Sequence, residues 1–121
     1  MAKHLLVVDD EPEIRDLIRI RLERLDNKVT VAANGKEALE QLIAHKDICA
    51  LITDLQMPEM NGFELIEKVK EKMPDLPIAV VTGFIDEVNV QKAHDVGASE
   101  VFPKPINWRE LQEWLKNVLP K

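Results

Sequence analysis

Apolar residues along the chain fall into two alternating patterns. Short runs rich in Val, Ile and Leu occur at His4–Val8, Lys28–Ala32, 49–53, Ile78–Thr82 and 101–102. Such runs suit strands covered on both faces of a parallel sheet. Between them, apolar positions recur at helical spacing. Ile14, Leu17, Ile18, Leu22 and Leu25 make one stripe, and Leu39, Leu42 and Ile43 a second. Leu65, Ile66 and Val69 make a third, and Leu111, Leu115, Val118 and Leu119 a fifth. The fourth, roughly 86–96, is the weakest, because polar residues dilute Val88, Ala93 and Val96.

Polar positions mark where the helices start. Asn34, Asn61 and Asn107 each stand three residues before a Glu, at Glu37, Glu64 and Glu110. This is an Asn version of the capping box, which satisfies free N–H groups of a first helical turn. Pro12 suits the first turn of the opening helix and Gly97 the left-handed end of the fourth. Five strands alternating with five helices predict an α/β fold of the (βα)5 kind. Right-handed crossovers would cover both faces of its doubly wound parallel sheet. In such folds ligands bind at the carboxyl ends of the strands, where the strand order reverses.

Chemistry-bearing residues collect at that edge. The first strand ends in Asp9-Asp10, the third in Asp54 and the fourth in Thr82, and the fifth leads to Lys104-Pro105. Crowded carboxylates raise a pKa or recruit a cation, and hard oxygen ligands without a His or Cys cluster favour Mg²⁺ or Ca²⁺ over zinc. Lys104 can neutralise phosphoryl oxygens, Thr82 can donate a hydrogen bond to one, and a carboxylate can act as nucleophile. Taken singly, each residue also has an ordinary reading: an Asp as cap or loop residue, Thr82 as a strand end, Lys104 as a surface lysine. Their convergence after four different strands is what points to a site.

Composition narrows the class. The 121 residues are expected to form one domain spanning 1–121, with 45% apolar residues to pack its core and 31% charged residues. No run approaches the ~20 apolar residues of a spanning helix, and the opening lacks a signal-peptide pattern. The single cysteine, Cys49, cannot form an internal disulfide, which suits a reducing, cytoplasmic setting. A net charge of −6 argues against direct nucleic-acid binding by the domain.

Four motifs resemble those of response-regulator receiver domains. They are Asp9-Asp10-Glu11-Pro12, the run from Asp54-Leu55-Gln56-Met57-Pro58 through Asn61-Gly62-Phe63-Glu64-Leu65, Val81-Thr82-Gly83, and Phe102-Pro103-Lys104-Pro105. The resemblance covers essentially the whole chain, with every motif in order. It implies the flavodoxin-like strand order 2-1-3-4-5, which the pattern alone does not give. It implies that Asp54 accepts a phosphoryl group and that Asp10, Asp54 and the backbone carbonyl of Gln56 bind Mg²⁺, with Asp9 acting largely through water. Thr82 and Lys104 would contact the phosphoryl group, and a cis bond would join Lys104 to Pro105. The donor would be a phosphohistidine on a sensor histidine kinase or phosphotransfer protein, or a small phosphodonor such as acetyl phosphate. The domain would catalyse only its own phosphorylation and dephosphorylation. It would then switch its surface for an output partner or effector domain, or for a phosphorylation-dependent dimer, with no membrane partner. Gln56 and Phe84 would flank the path of the hydrolytic water. Where this family commonly carries a switch aromatic, the chain has Val101, and the adjacent Phe102 points to the opposite face.

Other residues carry less. His4, His45 and His94 are scattered along the chain and are expected to form no ligand cluster. Cys49 reads as a small core residue, and Met57, Met60 and Met73 as packing. Trp108 and Trp114, six apart, cannot both centre on one buried helical stripe. Two rivals to a phosphorylated receiver stand beside it. One is a receiver fold kept as an unphosphorylated binding scaffold. The other is a small Mg²⁺-dependent phosphohydrolase, against which stands the lack of a DxD motif or a cap insertion. The chain stops soon after its fifth helix, which fits either a stand-alone regulator or a receiver from a larger protein.

Overall fold

The computed structural model describes residues 3–83 and 85–120. Strands and helices alternate strictly along them: β1 His4–Val8, α1 Pro12–Glu23, β2 Lys28–Ala32, α2 Gly35–Ala44, β3 Ile48–Thr53, α3 Gly62–Lys72, β4 Ile78–Thr82, α4 Glu87–Val96, β5 Glu100–Pro103 and α5 Trp108–Val118. All pairings are parallel and the sheet order is β2-β1-β3-β4-β5. The chain steps outward from β1 to β2, crosses back to β3 and continues to β5. With right-handed crossovers, that reversal puts α1 on one face and α2, α3 and α4 on the other, and opens a crevice between β1 and β3.

Two cores result, one on each face. Leu6, Val8, Leu51, Ile78 and Val80 pack against Ala38 and Leu42 of α2, Leu65, Ile66 and Val69 of α3, and Ala93 of α4. The alternate strand residues Leu5, Val7, Ala50, Ile52, Ala79 and Val81 pack against Ile18 and Leu22 of α1 and Leu111, Trp114 and Leu115 of α5. Each central strand therefore needs apolar residues on both sides of the pleat, which is why the sequence shows unbroken apolar runs. Adjacent residues of β5 divide the same way. Val101 packs on the α2–α3–α4 side, whereas Phe102 lies in the other core with its ring 6.4 Å from that of Trp114.

The helices bury narrower stripes than the sequence spacing suggests. Ile18 and Leu22 are buried, but Leu17 of α1 stays 43% exposed and Ile43 of α2 58%, while Leu25, 44% exposed, lies past the end of α1. A helix lying on a sheet touches it along one line, and in α2 that line runs through Ala38 and Leu42, leaving Ile43 to one side. The caps form as the sequence implies. Asn34, Asn61 and Asn107 accept hydrogen bonds from the backbone N–H of Glu37, Glu64 and Glu110 at 2.9, 3.0 and 3.2 Å. Asp86 caps α4 in the same way, accepting from Asn89 N–H at 2.8 Å. Gly97 ends that helix at φ 122°. Trp114 is buried, while Trp108 is half-buried with the Arg21 guanidinium 4.9 Å from its ring centre. Among the described residues no helix is long and apolar enough to cross a membrane.

The histidines depart from the sequence reading. β1 pairs with β3 so that His4 stands opposite Ile48, which folds the turn at 45–47 back over the start of β1. His4 Nδ1 consequently lies 2.9 Å from Asp47 Oδ1, and the His4 and His45 rings meet edge-on at 5.2 Å. His94 stays apart, its Nδ1 3.0 Å from the Ala98 carbonyl. Cys49 is only half-buried; its thiol donates to the His4 carbonyl at 3.3 Å, and burial pushes its pKa above the ordinary value.

Gly62 fixes how closely α3 approaches the loop after β3. Its N–H donates to the Leu55 carbonyl at 2.9 Å. A Cβ there would strike the Asp54 carbonyl oxygen and lie 2.7 Å from Leu55 Cα. Both obstacles are backbone, so neither can rotate aside. Gly62→Ala is therefore expected to lower stability by about 1–3 kcal/mol. Urea unfolding measures this, and a midpoint equal to that of the native chain would refute the tight approach.

Candidate functional site

Because all five strands run the same way, their carboxyl ends share one edge, and strand register decides which residues become neighbours there. Val8 pairs with Thr53, which sets Asp9 beside Asp54. Thr82 pairs with Pro103, which sets Lys104 beside the end of β4. Backbone bonds fix these positions: Asp9 N–H to Ala32 O at 3.2 Å, Asp54 N–H to Val8 O at 3.1 Å and Lys104 N–H to Thr82 O at 2.9 Å. Asp9, Asp54 and Thr82 are all buried, with 1%, 5% and 1% exposure, in the crevice where strand order reverses.

Lys104 ties the cluster together. Its ammonium donates to Asp54 Oδ2 at 2.8 Å, Asp9 Oδ2 at 3.0 Å and Glu11 Oε1 at 3.2 Å. An ammonium has three hydrogens, so its donor capacity is fully used. The other oxygen of Asp54, Oδ1, accepts from the backbone N–H of Leu55 at 2.6 Å and of Gln56 at 3.3 Å. Asp9 Oδ1 accepts from the Glu11 N–H at 2.9 Å, and Arg15 donates to the Asp9 carbonyl at 3.1 Å. Burial raises the Asp9 pKa above its ordinary value, outweighing the Glu11 amide and the ammonium, which lower it. Burial also acts against the Lys104 charge, but its hydrogen bonds to Asp54 and Asp9 more than compensate and hold its pKa above the ordinary lysine value. One cation thus faces more negative charge than it can neutralise.

Asp10 is exposed at the mouth, and the oxygens of Asp9, Asp10, Glu11 and Asp54 include a set lying within 4.8 Å of one another. Hard carboxylate oxygens so grouped can hold a divalent cation of the Mg²⁺ or Ca²⁺ type. An open cleft of about 510 Å³ adjoins them, lined by Asp10, Leu55, Gln56, Met57, Asn61, Phe63 and Asn89. The structure therefore places Asp9, Asp54 and Lys104 in direct contact, with Asp10, Gln56 and Thr82 around them. Phe84 lies outside the described residues. Glu11 has no part in the sequence-derived site, where it stands only within the motif Asp9-Asp10-Glu11-Pro12. It holds the cap position of α1, but its side chain makes no cap bond and reaches Lys104 instead. The third acid in the run Asp9-Asp10-Glu11 was the available signal.

Comparison with known proteins places the chain in a family. The sequence pattern of the response regulator receiver domain matches residues 5–116. The response regulator SaeR from Staphylococcus aureus is 35% identical over 118 residues, which are 98% of this chain and 51% of SaeR. The chain thus spans about half the length of the curated relatives it matches. Among solved structures, the Vibrio cholerae chemotaxis protein CheY4 superposes with a TM-score of 0.91 at 30% identity, covering 98% of this chain and 100% of that one. The response regulator TrrA from Thermotoga maritima, solved in complex with Mg(2+)-BeF, gives a TM-score of 0.87 at 32% identity over 97% and 99% of the two chains. With its acidic crevice at the strand-order reversal and its parallel five-stranded sheet, the chain belongs to the response regulator receiver domain family.

Proposed function

We propose that the chain is a phosphoacceptor switch that takes a phosphoryl group onto Asp54 from the phosphohistidine of a sensor kinase or phosphotransfer protein. The observation that carries this reading is the contact of Lys104 Nζ with both Asp54 Oδ2 and Asp9 Oδ2. It sets a cation where the charge of an incoming phosphoryl group would develop. Asp54 Oδ1 is pinned by two backbone amides, so the carboxylate is oriented before a donor arrives. A carboxylate oxygen of Asp54 attacks phosphorus, the P–N bond of the donor breaks, and its electron pair returns to the imidazole, which takes up a proton. The acyl phosphate remains on Asp54 beside Thr82, and its oxygens compete with Asp9 and Glu11 for the Lys104 ammonium.

The donor set fits Mg²⁺, which Asp10, Asp54 and the Gln56 carbonyl would hold, with Asp9 acting through water. The ion, when bound, neutralises phosphoryl charge that Lys104 alone cannot balance. The 510 Å³ cleft gives a donor side chain access over Asp10 and Gln56. Phosphorylation then changes the surface offered to an output partner or a second copy. The reading places the domain in the cytoplasm, where such donors act.

Labelled acetyl phosphate tests the reading. Mg²⁺-dependent incorporation is expected in the native chain and only background in Asp54→Asn. Metal binding with an intact fold but no incorporation would assign the chain to the unphosphorylated scaffolds instead. Charge crowding has its own signature in divalent-free buffer. Since folding raises the Asp9 pKa, ionised Asp9 costs stability above that value, and the cost disappears as pH falls through 3.8, below which both states are protonated. Asp9→Asn is expected to raise the urea midpoint at neutral pH, with a gain that fades on acidification. A loss of stability at neutral pH would show that the Lys104 pairing outweighs burial.

A further inference from the structure

At the opposite end of β1 from the acidic crevice lies a second cluster of ligating groups. His4 is buried, and its two ring nitrogens face different partners: Nδ1 lies 2.9 Å from Asp47 Oδ1, and Nε2 lies 2.6 Å from Thr30 Oγ1. The His45 ring stands edge-on to that of His4 at 5.2 Å. One ligand atom from each of His4, His45 and Asp47 falls within a set no more than 4.8 Å across. Hydrogen bonding accounts for His4, Asp47 and Thr30, but it does not account for a second imidazole in the same space.

We propose that His4, His45 and Asp47 form a binding site for one late first-row divalent cation, of which Zn²⁺ is the type. Two imidazoles and a carboxylate are a donor set that suits Zn²⁺ rather than Mg²⁺, and three protein ligands with a water in the fourth position make a common zinc arrangement. In a tetrahedral site with metal–ligand distances near 2.0 Å, neighbouring ligand atoms lie ~3.3 Å apart. The His4–Asp47 pair is already inside that distance. Closing the remainder takes a shift of roughly 1.5 Å, which falls to the mobile members, since Asp47 is 65% exposed and His45 only partly buried. The least mobile ligand is oriented in advance. Thr30 Oγ1 can accept from Nε2–H, which orients the ring so that Nδ1 faces the metal, as outer-shell partners of zinc histidines do. Binding displaces the proton between Nδ1 and the Asp47 carboxylate to solvent.

The site is separate from the acidic crevice by the length of β1, five residues or roughly 15 Å. It therefore does not depend on the phosphoacceptor reading. Zn²⁺ titrated into the full chain and followed by calorimetry is expected to show one equivalent of binding. That equivalent weakens at least about tenfold in His45→Ala and in Asp47→Ala, and about tenfold in Thr30→Val. It persists in Asp54→Asn. In histidine-ring NMR spectra the His4 and His45 signals should shift with Zn²⁺, while those of His94, held elsewhere by Ala98, stay in place. Thermal melts of the metal-free variants establish that each remains folded. Equal affinity in His45→Ala and the native chain would overturn the proposal. So would loss of the equivalent in Asp54→Asn, which would place the ion in the acidic crevice, or a binding curve that shows adventitious weak sites only.

Discussion

Two buried carboxylates, those of Asp9 and Asp54, share one lysine ammonium, and much of the architecture is arranged around that contact. Isolated carboxylates with 1% and 5% exposure would carry a large desolvation cost. Here the cost is offset in part by the Lys104 charge and by backbone N–H groups of Glu11, Leu55 and Gln56 aimed at the remaining oxygens, with burial still outweighing them at Asp9. Those amides sit where they do because β1 and β3 end side by side at the strand-order reversal, leaving no helix over the crevice. A sheet with consecutive strand order would have closed that gap.

The same contact leaves the site unfinished. An ammonium can donate three hydrogen bonds, and Lys104 already makes three, to Asp9, Glu11 and Asp54. On the proposed function, a phosphoryl group arriving at Asp54 would compete for the ammonium that now holds the carboxylates together. Stability and the proposed response would then draw on one interaction. Gly62 keeps this arrangement tight from below, because the first turn of α3 packs directly on the backbone of Asp54 and Leu55.

The two ends of β1 show how a parallel sheet distributes chemistry. Carboxyl ends gather loops rich in acids, while the amino ends receive the turns that lead into the strands. His4 pairs opposite Ile48, so the turn at 45–47 returns to the base of β1 and brings a second imidazole and a carboxylate to the first. Nothing in the order of these residues along the chain announces it. His4 and Asp47 are 43 residues apart and are joined only by strand register.

Local chemistry determined much of this protein. Unbroken apolar runs required strands with two covered faces, Asn caps marked three helix starts, and the placement of Asp9, Asp10, Asp54, Thr82 and Lys104 after strands put them at one edge. Each depends only on neighbours within a few residues and on the period of strand or helix. Tertiary structure decided what depends on register and on which face each helix covers. It left Leu17, Leu25 and Ile43 exposed, put Val101 and Phe102 in opposite cores, turned Glu11 from its cap toward Lys104, and brought His45 to His4. The physical reason is the same in every case. A hydrophobic pattern states that a residue can be buried or that an acid stands at a strand end. The pairing of β1 with β3 and the lie of each helix on the sheet fix which partner it meets.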